Sequence, residues 1–250
     1  MSELVYPPVI AAAKTMFRVL DLRLTVEGSH HVPRTGGAVL ASNHVSYLDF
    51  IFCGYGALES RRLVRFMAKD SVFRHKVSGP LMRGMKHIPV NRAAGAGSYA
   101  AAVGALRRGE VVGVFPEATI SRSFTVKDLK NGAARMAQEA GVPLLPVALW
   151  GTQRLWTKGR PRTLTRRHTP ITILVGEPMD PAAHPDATTL TAELRTRLAG
   201  LVDRAQRNYP EQPAGPDDAW WQPAHLGGGA PTPEEAAALD RPGRGARSAS

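Results

Sequence analysis

Of the eight histidines in this chain, only His44 has an acid five residues later, Asp49, within the stretch AVLASNHVSYLDF over residues 38–50. An imidazole with a carboxylate on one ring nitrogen is held in one tautomer, and its other nitrogen is left to take a proton, which is the equipment of a general base. On a continuous helix residues five apart point about 140° away from each other, so the pair can meet only across a bend. The local pattern supplies one: residues 38–41 read as a short buried strand, Ser42-Asn43-His44 breaks it, and Ser46 opens a new apolar pattern with an acid three residues on. The plainer reading makes Asp49 the N3 residue of a capping box begun by Ser46 and His44 an ordinary loop histidine. Spacing alone leaves both open.

The elements that must hold this pair follow from the rest of the pattern. Strands are expected over 22–26, 64–68, 88–90, 111–115, 144–149 and 171–175, and helices over 48–58, 98–108, 131–140 and 188–207. Strands alternating with helices of roughly a dozen residues predict a single α/β domain built on a mainly parallel sheet flanked by helices. Residues 1–22 carry an amphipathic helix whose stripe (Val9, Ile10, Ala13, Met16, Phe17, Leu20) suits either packing on the domain or a membrane interface. The domain proper is expected over 23–209. Residues 210–250 are rich in Pro, Gly, Ala and charge and read as a disordered tail.

A formal charge of +11, from 32 basic against 21 acidic residues, implies an anionic partner. The single cysteine, Cys53, excludes an internal disulfide and a Cys-based zinc site, and it follows Ile51 and Phe52 as a core residue would. No run reaches the 18 or so apolar residues of a spanning helix, and Glu3 stands where a secretory signal would be positive. Residues 152–168 hold six Lys or Arg and no acid, with Trp150 and Trp156 alongside, a composition suited to a lipid headgroup region. Too few aromatics interleave for a nucleic-acid surface, and no nucleic acid is expected. The glycines at 95 and 97, with Glu117 some 20 residues on, mimic a dinucleotide fingerprint, but residues 91–94 make the turn too long for a tight phosphate loop.

Four blocks then stand in order at predicted strand ends: Asn43-His44 to Asp49; Lys69 through Gly84 to Pro89-Val90-Asn91-Arg92; Phe115-Pro116-Glu117-Ala118-Thr119; and Val142-Pro143-Leu144-Leu145-Pro146-Val147. Together they resemble the glycerophospholipid acyltransferases, most closely the bacterial 1-acyl-glycerol-3-phosphate acyltransferases, over roughly residues 20–180. The resemblance implies that His44 is the catalytic base and Asp49 its orienting partner, and that Arg92 and Glu117 bind a phosphorylated glycerol acceptor with Thr119 in the same pocket and Lys69 assisting. It implies direct transfer from acyl-CoA or acyl carrier protein to a lysophospholipid hydroxyl, with no cofactor or metal, by a protein lying peripherally on the cytoplasmic face of the cell membrane. The family's third block usually reads Phe-Pro-Glu-Gly-Thr-Arg; here Ala118 and Ile120 replace its glycine and arginine. Ala118 therefore predicts a backbone without positive φ, and Arg122 is expected to reach the site in place of the missing cation. Another lysophospholipid or glycolipid acceptor, a non-catalytic binder of anionic lipid, and a dinucleotide-linked enzyme are the competing readings.

Overall fold

A computed structural model of the 250-residue chain describes residues 3–91 and 95–241. Seven strands form one sheet in the order β1-β7-β6-β2-β5-β3-β4: β1 Arg23–Glu27, β2 Ala38–Ser42, β3 Val64–Lys69, β4 Ile88–Val90, β5 Val111–Val114, β6 Leu144–Trp150 and β7 Pro170–Val175. Every neighbouring pair is parallel except β6 with β7. The expected mainly parallel α/β domain is what forms. β2, β5 and β6 are buried along their whole length, as strands covered on both faces by crossover helices must be.

The helices are α1 Tyr6–Val19, α2 Asp49–Gly56, α3 Asp70–Arg74, α4 Ser78–Gly84, α5 Gly95–Arg107, α6 Gly132–Ala140, α7 Ala187–Arg207 and α8 Pro233–Asp240. One face of the sheet packs its Val39, Val112 and Leu144 against α5 and α6; the other packs Leu40, Leu145 and Ile173 against α2. The stripe of α1 lies on the domain: Phe17 stacks on Phe52 of α2 with centroids 4.9 Å apart, and the Tyr6 hydroxyl donates to the Val64 carbonyl. Burying a side chain of that size is worth about 1.5–3 kcal/mol, so α1 is part of the fold whatever its outer face meets. Among the described residues no helix is long and apolar enough to cross a membrane.

One expectation fails here. Residues 210–241, expected to lack order, are laid against the domain, with the Trp221 ring 2% exposed among Trp150, Leu198 and Tyr209. Arg154, itself only 2% exposed, sits over the Trp221 ring at 4.4 Å, and α8 begins with a capping box of Thr232 and Glu235. A composition poor in apolar residues still docks when its few aromatics each find a pocket and a cation. The remainder of that tail, residues 242–250, lies outside the described residues.

Candidate active site

Because β6, β2 and β5 are adjacent, the loops that leave their C-terminal ends meet, at the edge where α/β sheets present ligand sites. The β2 loop starts with Asn43, whose side-chain amide donates to the Leu149 carbonyl at 3.0 Å and accepts the Leu149 N–H at 2.7 Å. A side chain thus continues the ladder with β6 where the main chain turns away. His44 follows, and its backbone is gripped at both ends by the β5 loop: its N–H donates to Glu117 Oε1 at 2.9 Å, and its carbonyl accepts the Ser121 N–H at 2.7 Å.

His44 lies in the bend and Asp49 is the first residue of α2, as the break at Ser46 requires. Nδ1 of the imidazole is 3.0 Å from Asp49 Oδ2. That carboxylate is fully buried and also accepts the N–H groups of Val45 and Ser46, each at 2.7 Å, and the Thr152 hydroxyl at 2.6 Å. Two amides and a hydroxyl donate to it and no acceptor besides the ring faces it, so Nδ1 is assigned the ring proton. The capping reading and the catalytic reading prove to be one arrangement, since the oxygen that holds the imidazole also closes the loop entering the helix. Nε2 has no hydrogen-bond partner among the described residues, and the ring is 20% exposed. Its face lies on Phe115 at 4.3 Å, Phe115 stacks on Phe66 at 6.1 Å, and Phe66 has room because β5 carries Gly113, where a Cβ would come within 2.4 Å of the Phe66 ring.

Glu117 is turned inward, toward the backbone of the base. Both its oxygens face main-chain amides, Oε1 that of His44 and Oε2 that of Lys127 at 3.2 Å, and the residue is 5% exposed. It braces the backbone that carries the base. Burial raises its pKa from the ordinary carboxylate value to about 7, against the lowering effect of those two amides. Ala118 corrects the expectation of a backbone without positive φ: its φ is +62°, the left-handed region. The chain turns tightly there, with the Ala118 N–H on the Phe115 carbonyl at 3.0 Å, because it must aim Glu117 inward and still bring Ser121 back to His44. The alanine is tolerated since its side chain faces outward and is exposed.

The other expected residues are spread around this centre. Lys69 ends β3 at the same sheet edge with its side chain exposed, and Thr119 Oγ1 accepts Lys127 Nζ at 2.8 Å. Arg122 directs Nε to Asp240 at 3.1 Å, in the segment whose composition predicts a disordered tail. Arg92 lies outside the described residues. Ile120, in place of the family's arginine, is buried at 5% exposure. Cys53 is buried, which pushes its thiol pKa well above the ordinary value and makes it a core residue. Gly97 falls inside α5 and has open space where a Cβ would lie. Sequence reasoning missed Asn43 and Thr152 as positioning residues. The signal was available, since both sit within two residues of the end of a central strand.

The Acyltransferase family model matches residues 23–150. The chain is 31% identical over 199 residues to a 1-acyl-sn-glycerol-3-phosphate acyltransferase of Bacillus subtilis, covering 77% of this chain and 90% of that one. It is 26% identical over 185 residues to a chloroplastic 1-acyl-sn-glycerol-3-phosphate acyltransferase of Arabidopsis thaliana, of which it spans 49%. In fold it matches the crystal structure of the 1-acyl-sn-glycerophosphate acyltransferase PlsC from Thermotoga maritima, with a TM-score of 0.70, 24% identity, and coverage of 82% of this chain and 81% of that one.

Proposed function

The chain belongs to the Acyltransferase family, and from that premise we propose that this phospholipid-synthesis enzyme moves a fatty acyl group from acyl-CoA or acyl carrier protein to the free hydroxyl of 1-acyl-glycerol-3-phosphate, giving phosphatidic acid. The observation that carries the reading is the imidazole of His44, with Nδ1 on a buried carboxylate and Nε2 open.

An alcohol is a poor nucleophile at its own pKa. His44 Nε2 removes the hydroxyl proton as the oxygen attacks the thioester carbonyl, which contributes about 10²- to 10⁴-fold. Asp49 stabilises the imidazolium that forms, and the departing thiolate takes the proton back, so the base is restored within one turnover. Transfer is direct. Cys53, the single sulfhydryl, is buried in the core and offers no acyl-enzyme route. Asn43, Glu117 and Thr152 act through His44 and Asp49 as positioning residues. Lys69, Arg92, Thr119 and Arg122 are assigned to the acceptor's charged end, where Arg forks suit phosphate best.

The +11 balance fits work at an anionic membrane surface, where each Lys or Arg near the surface adds about 1 kcal/mol. The exposed Leu4 and Val19 at the two ends of α1 fit the peripheral placement, on the cytoplasmic face. The test is a thioester-release assay with a panel of lysophospholipids and both donors. Product is expected with lysophosphatidic acid, at least about tenfold faster than with phosphodiester lysolipids. Turnover with no member of the panel would remove the reading.

A further inference from the structure

Three cations from two loops converge on one carboxylate of the C-terminal arm. Asp240, at the end of α8, accepts Arg122 Nε at 3.1 Å and Lys158 Nζ at 2.6 Å on Oδ1, and Lys127 Nζ at 3.0 Å on Oδ2. Lys127 Nζ also donates to Thr119 Oγ1. All four charged groups are between 19% and 32% exposed, so the cluster is half sheltered yet reachable.

The charges do not balance. Three cations enclose a single monoanion, which leaves two positive charges unmatched at that point. A phosphate monoester carries about −1.5 to −2 at neutral pH and offers three acceptor oxygens. It matches three donors in number and comes closer to them in charge than one carboxylate does. The place is also suggestive. Lys127 donates its backbone N–H to Glu117 Oε2, and Glu117 Oε1 holds the backbone N–H of His44.

We propose that Arg122, Lys127 and Lys158 form a binding site for a phosphate monoester, and that Asp240 occupies it as a tethered surrogate, so that ligand and C-terminal arm exclude one another. Burial alone would raise the Asp240 pKa, but the three cations outweigh it and hold the group down at about 2, so the surrogate stays charged through the working range. The arm suits exchange. Beyond Trp221 it buries little but Pro223, Ala230 and Ala236, and Leu239 beside Asp240 is 58% exposed, the profile of a segment that opens locally at small cost. An arm that covers the site nine-tenths of the time weakens apparent ligand affinity about tenfold.

The proposal builds on the phosphorylated acceptor proposed above, and the two can fail separately. In the full-length protein, Asp240→Asn should tighten binding of inorganic phosphate about tenfold by calorimetry. It should lower KM for lysophosphatidic acid by about as much, with kcat within about twofold, and leave KM for a phosphodiester lysolipid unmoved. Ala236→Glu, which puts a charged side chain where the residue is 7% exposed, should release the arm by a second route and give the same shifts. Phosphate affinity and KM unaltered in both variants would overturn the surrogate. Tightened phosphate binding in a protein that transfers no acyl group would retain the anion site and overturn its assignment to an acyl acceptor.

Discussion

Two aspartates organise the charged parts of this molecule, and they are held in opposite ways. Asp49 is fully buried, and its donors are two backbone amides, a threonine hydroxyl and the imidazole it orients. Asp240 is 19% exposed, and its partners are the ends of three long side chains. Backbone donors are fixed by the fold and reorganise little, which suits a group that must hold one geometry through a reaction. Lys and Arg tips carry much rotamer freedom and are screened by water, which suits a contact that forms and releases. The lesson is that the number of partners around a carboxylate says less than what those partners are anchored to.

The comparison predicts sharply different responses to change. His44→Ala should reduce acyl transfer by about 10²- to 10⁴-fold while the thermal midpoint stays near that of the parent; turnover within tenfold of the parent would break the contrast at its root. Asp49→Asn should cost about 10²-fold in rate, because the ring loses its fixed tautomer. It should also cost about 1–3 kcal/mol of stability, since an amide nitrogen would then oppose donors that need an acceptor; unfolding in urea measures the second effect. By contrast, 0.5 M salt should weaken the Asp240 cluster and leave the His44 to Asp49 geometry as it is.

Glu117 joins the two regions, and its effect is read through pH. Its pKa is raised to about 7 in the folded state, so its contribution to stability is full below the unfolded value near 4.5 and is lost as pH rises through 7. His87 runs the other way: burial, with Arg65 nearby, lowers it to about 4, so its contribution is present above 6.5 and is lost as pH falls through 4. Between pH 4.5 and 6.5 the two slopes oppose one another. In Glu117→Gln the His87 slope is no longer opposed by that of Glu117, and the thermal midpoint should climb from pH 4.5 to 6.5 more steeply than in the parent; parallel curves would show that Glu117 titrates normally. The smallest effect is at Ala118. Replacement by glycine relieves a left-handed residue and should raise stability by about 0.5–1 kcal/mol after the added chain entropy, with the site's geometry unchanged.

Apolar runs made most of the fold legible. The strands over 88–90, 111–114 and 144–150 coincide with short stretches that have little else to be than a buried sheet. The helices α3 and α4 were not legible, since elements of five and seven residues among Lys, Arg, Gly and Pro show no periodicity and bury little beyond Phe73 and Met82. The pairing of His44 with Asp49 could be read because it is local in sequence. The brace of Glu117 on the His44 backbone spans 73 positions, and the Arg122 contact with Asp240 spans 118, so no spacing rule reaches them. Ala118 misled because residue type reports only what a backbone tolerates easily, and here closing the loop outweighs a strain of about 1 kcal/mol.

The sheet's first strand has a schedule of its own. Among the described residues β1 pairs only with β7, with Arg23 opposite Pro170, so during synthesis its partner is made 147 residues later, roughly 7–30 s at 5–20 residues per second. Through that interval β1 waits as an open edge. Its alternating exposure, with Arg23 and Glu27 at its two ends, gives a passing chain charged ends instead of a flat apolar ribbon to join. The last piece of the sheet to arrive is thus the one that shelters the first piece made.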